Sequence, residues 1–218
     1  MSSFMVELAR YSTLEWAKEN LRDFELKHLE PALNGDVDAA FGLSFALDNQ
    51  YRGIVAYAFW RCKAPVPAYR AFLSCVWDHD HRYVIAAAGN RRTLRAMFRY
   101  AAFPLPADMP EVVRVWRGTS YLSEKESAKG YSWTIDRDIA CWFAMRFADW
   151  NNNPLVLAAD VPKAEILLYH DGRGEKEAVL FKPPTYWIDG HPEEWREGLE
   201  REKRARRSDN NASLMKPA

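Results

Sequence analysis

Phe103-Pro104-Leu105-Pro106-Ala107-Asp108-Met109-Pro110 decides how the chain divides. Three prolines in eight residues fix φ and remove backbone donors, so neither a helix nor a central strand runs through. The two sides of this stretch differ in texture. Upstream, residues 12–103 read as helices. Ser12 followed by Glu15 has capping-box spacing, and Leu14, Leu21, Phe24, Leu26 and Leu29 recur at helical intervals up to Pro31. A second helix starts at Asp36 or Asp38. A third covers residues 65–77 with Pro67 in its first turn, and two more cover 82–88 and 91–102, parted by Gly89-Asn90. Residues 51–60 are apolar and aromatic enough to fit either helix or strand.

Downstream, residues 112–118, 131–135, 154–161, 164–170 and 177–183 are short runs of β-branched, aromatic and aliphatic residues between turn signals, the pattern of strands. One helix interrupts them over 136–150, with Ile139, Trp142, Phe143 and Phe147 along one side. The order predicts an α+β chain. A helical N-terminal region spans 1–105, a sheet-bearing core 106–192 and a charged tail 193–218. The tail reads as a solvated helix followed by a disordered end.

At 218 residues, with 48% hydrophobic and 28% charged residues, the chain can bury about 70% of its unfolded surface and needs no metal or disulfide to fold. Thirty basic and 30 acidic residues cancel, which excludes a uniformly basic nucleic-acid binder but not a local basic patch. No apolar run approaches the roughly 18 residues of a membrane helix. The start MSSFMVELARYSTLEW lacks a basic segment followed by an apolar core, so no secretory signal is read there. Cys62, Cys75 and Cys141 form no CxxC pair, which argues against a disulfide framework or a cysteine zinc site. A cytoplasmic location with no membrane partner is the expectation.

Three segments of the second half carry chemistry. Trp116-Arg117-Gly118 ends a strand with an arginine, whose rigid fork of donors suits phosphate or carboxylate, and with a glycine that lets a ligand or backbone approach. Ser132-Trp133-Thr134 places two hydroxyls on one face of a strand. Glu175-Lys176-Glu177 places two carboxylates at the mouth of an apolar strand, where alternation would give them one face and where like charges need compensating cations. Each, taken singly, also fits an ordinary structural element.

Together, in this order, they resemble the arginine–serine–glutamate class of mono-ADP-ribosyltransferases over residues 110–185. The resemblance implies a split β-sandwich core and NAD as a consumed substrate, with no metal. It implies Arg117 on an NAD phosphate with Gly118 beside it, Ser132 orienting the catalytic Glu177, Glu175 engaging the acceptor, Thr134 near the ribose and Phe143 against nicotinamide. Where the family has S-T-S, this chain has Ser132-Trp133-Thr134. The implied activity cleaves the nicotinamide–ribose bond and moves ADP-ribose to a macromolecule, with protein arginine favoured and nucleic acid as the other acceptor. Enzymes of this kind serve as intracellular toxins or effectors, which implies an inhibitory antitoxin or immunity partner. An NAD glycohydrolase, and a non-catalytic module binding nucleic acid or protein, are the alternatives.

The remaining features read more simply. Asp78-His79-Asp80-His81 is expected to be a solvated turn rather than a metal site, because adjacent residues rarely converge on one ion. Arg91, Arg92, Arg95 and Arg99 form a basic stripe above Leu94, Met97 and Phe98, either a solvated face or one that meets phosphates. His170 lies beside the expected site as a bystander.

Overall fold

Residues 3–147 and 153–214 are described by the computed structural model, and they fall into two units that divide after Phe103. The first unit runs α1 (Ser3–Asn20), α2 (Asp23–Leu33), α3 (Val37–Ala46), α4 (Asn49–Arg61), α5 (Val66–Ala88) and α6 (Arg91–Ala101). Leu29, Leu33, Leu43, Phe59, Phe72, Trp77 and Phe98 are fully buried in it, and the Phe59 and Phe72 rings lie 5.0 Å apart. Leu94, Met97 and Phe98 of α6 do face the core, leaving Arg92 and Arg99 exposed.

Several expectations for this unit change. Ser12 is no cap; it lies exposed within α1, nine residues from its start. The break comes instead at Leu21-Arg22, where the buried Glu25 carboxylate accepts from Arg22 N at 2.7 Å and from its guanidinium. The Arg22 charge holds that carboxyl below the usual range despite burial. Residues 51–60 are helical, with Gly53, Val55, Ala56 and Phe59 turned inward. The helices expected at 65–77 and 82–88 are one helix, α5, kinked at Asp80 (φ −138°, ψ 31°). Asp80 is therefore not in a solvated turn. It is buried and paired with Arg52 Nη1, since a carboxylate taken from water needs a partner. Between α4 and α5, Lys63 adopts left-handed backbone (φ 53°), which costs a side-chain-bearing residue about 1 kcal/mol that glycine would not lose.

The second unit runs β1 (Val112–Thr119), α7 (Glu124–Ala128), β2 (Ser132–Thr134), α8 (Arg137–Met145), β3 (Leu155–Pro162), β4 (Ile166–His170), β5 (Glu177–Leu180), β6 (Trp187–Ile188) and α9 (Pro192–Leu214). The six strands form one antiparallel sheet in the order β4-β5-β2-β1-β3-β6. β1 and β3 pair along their whole length, from Val112 opposite Pro162 to Thr119 opposite Leu155. β1 and β2 meet, among the described residues, only where Trp116 lies opposite Thr134. The sheet is thus two three-stranded halves joined at one pair. The strand regions expected from sequence are found. α7 and β6 were not expected, although Ser123 and Glu126 form the capping box that starts α7.

The charged tail is not a solvated helix. Trp195 and Leu199 of α9 are buried, and Gly198 lies against the side chain of Cys141 on α8. Arg201 reaches both Asp138 oxygens at 2.7 Å. Burial pushes the Cys141 thiol up to about 11, the state of an inert core cysteine. Helix α9 continues to Leu214 through most of the segment expected to be disordered; its last four residues, and residues 148–150 of the helix expected over 136–150, lie outside the described residues. No described helix is long and apolar enough to cross a membrane. The cysteines are free.

Candidate active site

Trp116, not Arg117, is the residue opposite Thr134, so strand alternation alone would send Arg117 to the face away from Ser132 and Glu177. The parting of β1 and β2 beyond their single pair changes this. The Arg117 side chain lies across the gap, its Nη1 donating to the Ser132 carbonyl and its guanidinium resting on Gly130. Nε makes no hydrogen bond among the described residues. Burial pulls the guanidinium below its ordinary value, and the charge of Glu177 opposes that pull. A buried cation with an orphan donor suits an oxyanion ligand.

Glu177 is the first residue of β5, opposite Thr134 on β2 and opposite His170 on β4. Directly opposed residues share a face, and Ser132, two positions from Thr134, is a diagonal neighbour of Glu177 at about 7–8 Å. Ser132, Thr134, Glu177 and His170 therefore share one side of the β4-β5-β2 half. His170, expected to be a bystander, is the residue opposite Glu177 on β4, with its ring against Gly172.

The turn before β5 is tied down from several directions. The buried Thr134 Oγ1 donates to the Glu175 carbonyl at 2.8 Å and accepts from Asp136 N at 3.1 Å. This corrects the ribose-facing expectation for Thr134, whose hydroxyl instead holds the backbone that carries the glutamates. Ile135 N donates to the Lys176 carbonyl at 3.1 Å, and Lys176 Nζ reaches Asp136 at 2.8 Å. Burial acts to raise the Asp136 carboxyl, but the Lys176 ammonium and two backbone N–H groups outweigh it and hold it below its usual range. Lys176 has left-handed backbone (φ 46°) and Glu175 precedes the strand, so alternation does not set a common face for the two glutamates. Arg173 pairs with Glu175 at 2.9 Å, and the charge of Arg117 acts on Glu177. These are the compensating cations that adjacent carboxylates require.

Gly118 takes the second of its two expected roles, the approach of backbone. A Cβ there would overlap the Ala140 carbonyl oxygen and lie 2.8 Å from Ala144 N. The close approach it permits is that of α8, not of a ligand. Phe143 is half-buried on α8, meeting Trp142 edge-on at 4.9 Å, while Arg146 lies 4.6 Å from its ring. Arg146 also lies over Trp142 and Phe147, and desolvation lowers its pKa against the charge of Glu175. Sequence reasoning singled out the segments that hold Gly130 and Arg173 without giving either a role, and missed Arg146. Gly130 alone had a readable signal, a glycine immediately ahead of the strand. Among the described residues no three His, Cys, Asp or Glu side chains converge as a metal site.

The chain matches no family model, no curated protein and no solved structure.

One consequence isolates Arg117. A methyl group at position 130 would fall inside the van der Waals envelope of Arg117 Cζ, Nε and Nη2, the far end of a flexible side chain. Gly130→Ala should therefore leave the thermal midpoint nearly unchanged but evict the guanidinium. A displacement of about 1 Å can cost about 100-fold in turnover. Comparing melting curves with ligand turnover checks this; unchanged turnover would show that the position of Arg117 is immaterial.

Proposed function

We propose that the chain is an NAD-dependent mono-ADP-ribosyltransferase that cleaves the nicotinamide–ribose bond and passes ADP-ribose to a macromolecular acceptor. The observation that carries this reading is Arg117 lodged across the gap between β1 and β2. Its Nε is unpartnered among the described residues, Ser132 lies against it and Glu177 is within electrostatic reach. The single-pair junction of the sheet supports the split core that the reading requires. Arg117 would hold pyrophosphate oxygens. Glu177 would face the sugar carbon, which becomes cationic as the nicotinamide bond breaks and the bonding electrons leave with the base. A fixed carboxylate there stabilises the oxocarbenium-like state without reorganising. Ser132, on the same face, positions that carboxylate. The acceptor then forms the new glycosidic bond and gives up a proton.

A second reading, NAD glycohydrolase, draws on the Arg173–Glu175 pair. The carboxylate expected to meet an acceptor is already engaged by the chain's own guanidinium, which favours water as the attacking group. Incubation with NAD labelled in its adenylate, with and without cell lysate, separates the two. Label on macromolecules supports transfer, nicotinamide release without label supports hydrolysis, and neither outcome removes both.

Arg117→Lys keeps the charge but loses the planar fork. NAD should bind roughly 10-fold more weakly, the scale of a lost charge-assisted hydrogen bond. Titration calorimetry giving the parental affinity would detach Arg117 from the phosphates.

A further inference from the structure

The overall charge balance conceals a strong segregation. Residues 49–107 carry nine arginines and lysines against two carboxylates, Asp78 and Asp80, whereas residues 1–48 carry four against nine. Asp80 is already paired with Arg52. Three of these cations, Arg61, Lys63 and Arg70, lie with aromatic rings where α4 ends, α5 begins and α6 ends. Tyr57, Trp60 and Arg61 occupy one face of α4, at spacings of three and four residues. The Tyr57 and Trp60 rings are 5.6 Å apart, and Arg61 Nη1 donates to Tyr57 Oη at 3.2 Å while its Nε has no partner among the described residues. Lys63 Nζ lies between two rings, 5.4 Å from the centroid of Trp60 and 4.4 Å from that of Tyr100 on α6. Arg70 reaches the end of α6 beside Tyr100, donating from Nε to the Ala101 carbonyl at 2.8 Å. Among the described residues no carboxylate pairs with Arg61, Lys63 or Arg70.

Lys63 supplies an independent sign. Its left-handed backbone is a conformation that favours glycine, yet the position holds a long cationic side chain. The turn keeps that geometry through Lys63 N to Trp60 O and Ala64 N to Phe59 O. Strain retained for the sake of a side chain points to a use for the side chain.

We propose that this face binds single-stranded nucleic acid: Lys63 leaves the ring faces to meet one phosphate, Arg61 meets the next, and bases take the place of the ammonium against Trp60 and Tyr100. The arrangement of one ammonium between two rings matches one phosphate between two bases. An acidic peptide would use the cations and leave the rings idle, and a duplex would hide the base faces the rings require. The proposal concerns the helical unit and does not rest on the NAD reading.

Fluorescence anisotropy of the full chain with labelled mixed-sequence single-stranded RNA and DNA tests it, with a duplex and polyglutamate as competitors. Lys63→Gly relieves the backbone and should keep or raise the thermal midpoint. It should also weaken binding and reduce the slope of log affinity against log salt by about 0.7, the value for one lost single-strand phosphate contact. Trp60→Leu keeps an apolar side chain and should lose roughly 10-fold through stacking. Unchanged affinity and salt slope in Lys63→Gly would overturn the proposal. So would equal binding of duplex, or competition by polyglutamate as strong as by oligonucleotide.

Discussion

Glu177→Gln is expected to lower nicotinamide release from NAD roughly 100- to 1,000-fold, the range seen when one preorganised electrostatic group is removed from a transition state. Glutamine keeps the volume, the β5 backbone and the register opposite Thr134 and His170. In the proposed reaction, what disappears is a negative charge facing a carbon that would become positive. The thermal midpoint should stay within about 2 °C, as for a substitution that creates neither a cavity nor an overpacked contact. The charge opposing the burial of Arg117 disappears as well, so NAD affinity should change less than turnover. Near-parental turnover in a folded variant would take Glu177 out of the chemistry.

Gly118→Ala should be the most damaging single methyl group in the sheet-bearing unit. Its Cβ would meet backbone, namely the Ala140 carbonyl and Ala144 N of α8, and backbone cannot swing aside as a side chain can. Overpacking of this kind costs on the order of 3 kcal/mol, which corresponds to a fall of roughly 6–12 °C in thermal midpoint for a chain of this size. Calorimetry or circular dichroism reads it directly. A parental midpoint would mean that α8 does not pack on β1 as described. The contrast with Gly130→Ala is informative: both add one methyl group, but one strikes main chain and the other strikes the tip of Arg117.

The division of the chain was legible because proline acts locally: residues 104–110 break any regular element whatever surrounds them. The strands were legible for a similar reason, since runs such as residues 154–161 satisfy both propensity and burial. Helix α9 was misread because its abundant charges obscure a short inward stripe of Trp195 and Leu199, four residues apart. α4 was ambiguous because a segment apolar on most sides shows no period. At the site, Arg117 and the two glutamates were visible as unusual residues at strand ends. The parity of Arg117 and the diversion of the Thr134 hydroxyl into the turn were not visible, nor was which of the two expected neighbours would approach Gly118. Each depends on where separate elements cross, and a linear pattern does not encode crossings. Arg146 was missed, and Arg173 left without a role, for the same reason, since their partners are set by tertiary contact.

The lone pair of residues joining β1 to β2 makes the sheet a structure with a seam. Each half can keep its own ladder while the two shift against one another, so stiffness across the seam must come from whatever bridges it. A dinucleotide held by Arg117 from one side and Glu177 from the other would act as a second rivet. At a concentration about 100 times its dissociation constant it would add about 2.7 kcal/mol to the folded state. Consumption of that ligand would withdraw the same reinforcement, so the protein's own rigidity would report how much of it remains.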